Sequence, residues 1–76
     1  MLDLVEIYIK VNGKIEGGLV IERDEYNKDR DAVIEEIRSV AEDYDIDETA
    51  IIKSIEYVDD RISEDDYIEV ELKAGY

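Results

Sequence analysis

The chain reads as an α+β domain of order ββαββ: a four-stranded sheet with one helix packed on one face. Three patterns carry that reading. Residues 4–11 (LVEIYIKV) and 67–73 (YIEVELK) alternate apolar and polar side chains, as half-buried strands do. An Asn12-Gly13 pair separates 4–11 from the strand-like segment 14–22 (KIEGGLVIE) and marks a hairpin turn. Val33, Ile37, Val40, Ala41 and Tyr44 recur at helical spacing, which sets an apolar stripe along one helix.

Strand one places Val5, Ile7, Ile9 and Val11 on one face and Leu4, Glu6, Tyr8 and Lys10 on the other. A strict two-residue loop would pair Ile9 with Glu16 and mix the faces of strand two. A three-residue loop through Val11, Asn12 and Gly13 pairs Ile9 with Ile15 and Val5 with Leu19; a bulge at Gly17-Gly18 is the other way to restore one apolar face. Residues 24–27 break the alternation, and Asn27 or Asp29 caps a helix over 28–44, with Asp29 and Asp31 in its first turn. Residues 45–49 connect to a third strand at 50–58 (AIIKSIEYV). Its facing is ambiguous, because Ile51, Ile55 and Tyr57 compete with Ile52 and Val58. An acidic loop, 59–66, leads to the last strand, whose Ile68, Val70 and Leu72 point inward. A right-handed crossover sets that strand parallel beside the first, in order 2-1-4-3, with an antiparallel meander (2-1-3-4) as the alternative. No linker or repeat divides residues 1–76, so one domain is expected.

The element order, the hairpin Val11-Asn12-Gly13-Lys14 with Gly17, and the final Tyr67–Gly75 segment resemble the β-grasp immunoglobulin-binding domains of proteins G and L, and more distantly ubiquitin. The ending Lys73-Ala74-Gly75-Tyr76 is not the Gly-Gly of the conjugated modifiers, so the resemblance does not extend to conjugation.

Charge narrows the function. Twenty-three Asp and Glu face nine Lys and Arg with no histidine, a formal net charge of −14 on 76 residues. Such self-repulsion opposes compaction, so it points either to a basic partner or to a salt-rich setting. The acidity argues against direct binding of nucleic acid or anionic membrane, which need cationic side chains. Without cysteine there are no disulfides, thiol nucleophiles or zinc–thiolate sites. No stretch has the length of a membrane span, and Met1-Leu2-Asp3-Leu4 lacks a signal-peptide pattern. A soluble cytoplasmic protein is expected, in the host cytoplasm if the source is a phage.

Asp43, Asp45 and Asp47 open like an EF-hand calcium loop, but Glu48 and Ser54 stand where that loop needs glycine and its bidentate Glu. No metal or cofactor is expected. Paired acids (Glu35-Glu36, Asp59-Asp60, Asp65-Asp66) have no sign of a desolvating pocket, and Ser39, Ser54, Ser63 and Thr49 have no histidine to activate them. The chain is expected not to be an enzyme.

The acids themselves are the stronger candidate. Carboxylates at i, i+4 on a helix lie about 6 Å apart along the axis, and those at i, i+2 on a strand about 6.6 Å. Both are of the order of two phosphate steps along DNA. Asp31, Glu35, Glu42, Glu36 and Asp43 fall on the solvent side of the helix, and Glu69 and Glu71 on the outer face of the last strand. In a β-grasp arrangement Asp24, Glu25, Asp59, Asp60, Glu64, Asp65 and Asp66 gather at the end where the helix begins. Glu42, Asp43, Asp45, Asp47 and Glu48 gather at the other. In size and charge the chain resembles the small acidic inhibitors of phages and mobile elements, including anti-restriction and anti-CRISPR proteins. That resemblance implies a basic nucleic-acid-binding partner, such as a nuclease or effector complex, whose groove is filled by mimicry of phosphates. A structural or interaction domain whose acidity reflects salt or assembly is the other reading.

Of the six tyrosines, Tyr44 and Tyr57 fit the core. Tyr8 and Tyr67 fall on the outer sheet face of adjacent strands, either as an interface anchor or as packing over Gly18. Strand two, with few charges over 18–22, is a candidate edge for homodimerisation.

Overall fold

Strand β1 (Leu4–Val11) runs into β2 (Lys14–Glu22), a short 3-10 turn at Arg23–Glu25, two helices, α1 (Tyr26–Asp43) and α2 (Glu48–Arg61), and a final strand β3 (Tyr67–Leu72). The structure is a computed structural model and describes residues 2–75. Its single sheet has order β2-β1-β3, with β1 antiparallel to β2 and parallel to β3. The fold is α+β with three strands and two helices, in place of the expected four strands, one helix and order 2-1-4-3.

Residues 50–58 make the difference. They are helical, and the cause is legible at both ends of the segment. The Asp47 carboxylate accepts a hydrogen bond from the Ala50 amide at 3.0 Å, which caps α2, and Glu48 follows in the first turn. Ile51, Ile55, Val58 and Ile62 then repeat at helical spacing and are all buried, while Ile52 and Tyr57 face outward, 49% and 39% exposed. The two apolar sets that compete on a strand resolve into an inner and an outer side of one helix. Four isoleucines and valines favour strand by local propensity, but the burial pattern overrides it. Tyr57 therefore leaves the core, and the tyrosine inside it is Tyr26.

The link between the helices is a Schellman ending. Asp45 takes a left-handed backbone (φ 53°), the Ile46 amide donates to the Ala41 carbonyl at 3.0 Å, and Ile46 packs on the core. The turn after β1 is a two-residue loop, with Asn12 (φ 51°) and Gly13 (φ 86°) both in the left-handed region that a type I′ turn needs. A bulge then inserts Glu16, so Ile9 pairs with Gly17, Ile7 with Leu19 and Val5 with Ile21. The expected pairs of Ile9 with Ile15 and Val5 with Leu19 do not form. Ile15 pairs with Lys10 and sits on the outer face. Helix α1 begins two residues earlier than expected, at Tyr26, with no side-chain cap from Asn27 or Asp29.

The helices run antiparallel, since Arg38 near the end of α1 meets Glu48 at the start of α2, and Arg30 near the start of α1 meets Asp59 near the end of α2. Helix α1 lies over β2 and α2 over β3. The central strand beneath them is sealed: Val5, Ile7 and Ile9 are fully buried, with Ile68, Val70 and Leu72 beside them. No helix among the described residues is long and apolar enough to cross a membrane.

Candidate protein-binding surface

Both helices cover the same face of the sheet, so the opposite face stands open. Period 2 sorts its residues, and the registers align them in rows: Val20, Glu6 and Tyr67; Gly18, Tyr8 and Glu69; Ile15, Lys10 and Glu71. Leu4, Ile15, Val20 and Tyr67 are each about half exposed (48–54%), which is unusual for apolar side chains that share one face.

Tyr8 and Tyr67 meet with ring centroids 5.3 Å apart and planes tilted by 40°. Tyr8 also lies across Gly18, where an added Cβ would come within 2.8 Å of the ring and 3.0 Å of the Ile7 carbonyl oxygen. The packing role expected for the pair is thus met by Tyr8, and Tyr67 rests on it with half its surface in solvent. Each hydroxyl is aimed at a carboxylate two residues away on its own strand. Tyr8 donates to Glu6 Oε1 at 2.7 Å and Tyr67 to Glu69 Oε2 at 3.1 Å. The Glu6 bond raises the Tyr8 hydroxyl above the usual tyrosine range; partial desolvation, then Glu69, does the same for Tyr67. Both are neutral donors at physiological pH. Lys10 Nζ lies 3.5 Å from Glu69. Glu71 accepts the Gly13 amide at 2.9 Å, so the hairpin turn fixes its position.

The remaining acids divide into those that hold the fold together and those that face only water. At the end where α1 begins, Arg23 is the hub. Its Nε donates to Asp3 at 2.8 Å, its Nη1 to the Asp65 carbonyl at 3.1 Å and to the Ile62 carbonyl, and its Nη2 to Asp66. Asp59 is taken by Arg30 and by the Tyr26 hydroxyl. The Arg30 fork holds its carboxyl below the usual aspartate range, against the opposing effect of partial burial. At the other end Glu48 is bound by Arg38, at 2.7 and 2.8 Å, and is likewise lowered, Asp47 caps α2, and Glu42 lies in the field of Arg38. Glu36, expected in solvent, is half buried and accepts the Gly18 amide at 3.0 Å, which covers part of the β2 edge. The carboxylates of Asp31, Glu35, Asp43, Asp45, Asp60, Glu64 and Asp65 are exposed and have no hydrogen bond or ion pair among the described residues.

The structure therefore brings Tyr67, Glu69 and Glu71 together with Tyr8 and Glu6. It sets Asp31, Glu35 and Glu42 on the opposite side of the molecule and keeps the two terminal clusters apart. It also gives the acid series 43-45-47 a structural explanation, the left-handed residue after α1 and the cap of α2. No group of acids among the described residues has the geometry to hold a metal ion. The adjacent acids at 35-36 and 59-60 lie on helices, where neighbours in sequence point about 100° apart and share no site. Ser54 is buried and donates to the Ala50 carbonyl at 2.9 Å.

Leu4, Ile15 and Val20 belong to the open face and were not singled out from sequence. Leu4 alternates out of phase with Val5 and Ile7, which marks it. Ile15 is visible only once the bulge is known. Comparison with protein-family models, curated proteins and solved structures finds no match for this chain.

Proposed function

We propose that the protein is a non-enzymatic binding module that docks its open sheet face on a basic protein surface. The reading in its sharpest form is inhibition, with the docking surface taken as the nucleic-acid groove of a nuclease or effector complex, as in anti-restriction or anti-CRISPR inhibitors. One observation carries it: rings and carboxylates alternate on two adjacent strands, with Glu6 and Tyr8 beside Tyr67, Glu69 and Glu71, and no element covers them.

The chemistry follows from that lattice. Carboxylates recur about 6.6 Å apart along a strand and neighbouring strands lie about 4.8 Å apart. Proteins that bind single-stranded nucleic acid pair cationic side chains with phosphates and stack aromatic rings on bases. A surface of rings interleaved with fixed anions meets both demands, with Tyr67 in the place of a base and Glu69 and Glu71 in the place of phosphates. Tyr8, clamped on Gly18, and the Glu71 bond to the turn preorganise the array, so little order is lost on docking. The unpaired row on α1, Asp31 and Glu35 with Glu42 beside them, faces away and contributes to the long-range field that speeds encounter with a cationic partner. Aromatic anchors inside a polar rim are also the composition of interface centres.

The test is capture from a bacterial extract at low and high salt, with added oligonucleotide as competitor. The proposal expects partners enriched in nucleic-acid-binding proteins, released by salt and by oligonucleotide, and lost with the triple variant Y67S/E69Q/E71Q but kept with D31N/E35Q. Partners that oligonucleotide does not displace would reject the mimicry, and partners lost only with D31N/E35Q would move the surface to α1.

A further inference from the structure

The sheet has a second unfinished feature, its β3 edge. In the parallel pair with β1, the Asp66 and Leu72 carbonyls accept the Glu6 and Asn12 amides, so even-numbered residues of β3 turn their backbone groups toward β1. By the period of a strand, the N–H and C=O groups of Glu69 and Glu71 turn outward. Among the described residues no strand pairs with them. Alongside runs a groove of about 460 Å³, walled by Glu69–Lys73 on one side and by Ala50, Lys53, Ser54 and Tyr57 of α2 on the other. Of these, Ala50, Ser54 and Tyr57 are spaced i, i+4, i+7 and form one stripe, with Lys53 beside it. Ser54 spends its hydroxyl on the Ala50 carbonyl, and Lys53 is the charged member of the α2 wall. Tyr57 closes one end with the Arg61 guanidinium 3.6 Å above its ring.

We propose that this groove takes an extended peptide as a fourth strand, one that alternates apolar and basic side chains. Main-chain bonds to Glu69 and Glu71 would supply the affinity, as in other edge-strand additions. Apolar side chains would enter the groove between α2 and β3. Their neighbours would project to the outer face opposite Tyr67, Glu69 and Glu71, where charge complementarity selects Lys or Arg in a chain of net charge −14. A second copy of this chain is the wrong occupant, because two β3 edges side by side would set glutamates against glutamates. This site lies on the β3 edge and in the groove rather than on the open face; it shares the Glu69 and Glu71 side chains with the open-face proposal but does not depend on it.

The probe is a capped synthetic heptapeptide, Val-Lys-Val-Lys-Val-Lys-Val, titrated into the isotope-labelled protein at low salt and followed by amide NMR. Saturable binding is expected, with hydrogen exchange at the Glu69 and Glu71 amides slowed by about tenfold or more and shifts at Ala50, Ser54 and Tyr57. Methylating the peptide amides that face β3 should abolish binding, and methylating the alternate set should not. A50K, which fills the groove, should abolish binding at unchanged thermal stability, whereas V20E on the outer face should leave it intact. Saturation without slower exchange at Glu69 and Glu71, equal binding of both methylated peptides, or no binding below about 1 mM would each overturn the proposal. Concentration-dependent dimerisation that protects the same two amides would overturn the choice of occupant.

Discussion

Arg30 and Asp59 join the two helices through a two-point bond, Nε to Oδ1 at 2.9 Å and Nη2 to Oδ2 at 2.8 Å. The pair sits at the open end of the helix hairpin, far from the 44–47 link, and the Tyr26 hydroxyl donates to the same carboxylate. It fixes how α1 and α2 lie over the sheet, and so which face stays uncovered.

Stability should follow the ionisation of that carboxylate. Asp59 is held below its ordinary value of 3.8 by Arg30. A group lowered in the folded state contributes fully above its unfolded value and loses the contribution as pH falls through the folded one. D59N should cost about 1 kcal/mol at pH 7, discounted for partial exposure, and the deficit should shrink below pH 3.8. Tyr26 acts at the other extreme. Burial first, then Asp59, pushes its hydroxyl well above the ordinary 10.0, so its contribution is complete below pH 10 and lost as pH rises beyond it. Y26F should flatten the alkaline limb of a urea-unfolding pH series, which checks both signs in one experiment.

The helical assignment of α2 has its own test. V58A should cost about 2 kcal/mol for an emptied core position, and D47A about 1 kcal/mol for a lost cap. I52K, on the outer side, should be nearly neutral, while I55K should not fold. If residues 50–58 were a strand, Ile52 and Val58 would share a face and I52K would be as damaging as V58A. Urea midpoints of V58A, D47A and I52K, with the circular dichroism of I55K, decide it.

At Gly18 the ring of Tyr8 leaves no room for a methyl group. G18A should cost roughly 1–3 kcal/mol by overpacking, and the Tyr8 ring must leave Tyr67 to relieve it. The signature is a shift of both tyrosine ring resonances in a folded but less stable protein.

Salt should stabilise the isolated domain. Asp31, Glu35, Asp43, Asp60, Glu64 and Asp65 have no partner among the described residues, so their mutual repulsion is screened as the Debye length falls from about 30 Å at 0.01 M to about 3 Å at 1 M. The melting temperature should rise across that range, and D31K/E35K should raise it at low salt and blunt the rise. A melting temperature independent of salt would mean that the net charge is of no consequence to the fold.

The hairpin and β3 were open to reading from sequence because each states one period cleanly, as in Ile68, Val70 and Leu72 against Tyr67, Glu69 and Glu71. The second helix was not, because Ile51, Ile52, Ile55 and Val58 are β-branched, and Ile52 beside the helical set 51-55-58 lets the segment be read with period 2 as well. Its start signal, Asp47 before Glu48, was masked by an acidic run in which any aspartate looks like surface charge. The same masking hid which acids are free. Arg23, Arg30 and Arg38 decide that through bonds spanning 10 to 43 residues of sequence, and no local pattern announces them. The crossover rule sets the first and last strands side by side and so puts Tyr8 and Tyr67 on adjacent strands, where they lie.

On the proposed function, the open face with Tyr67, Glu69 and Glu71 competes with nucleic acid for a basic groove. The most direct measurement is a displacement titration, with a fluorescent oligonucleotide bound to the captured partner and the protein added at low salt. Complete displacement is expected at one protein per site, with Y67S/E69Q/E71Q shifted more than about tenfold to higher concentration, about 1.4 kcal/mol of binding free energy. Simultaneous binding of oligonucleotide and protein, or equal displacement by the triple variant, would contradict it.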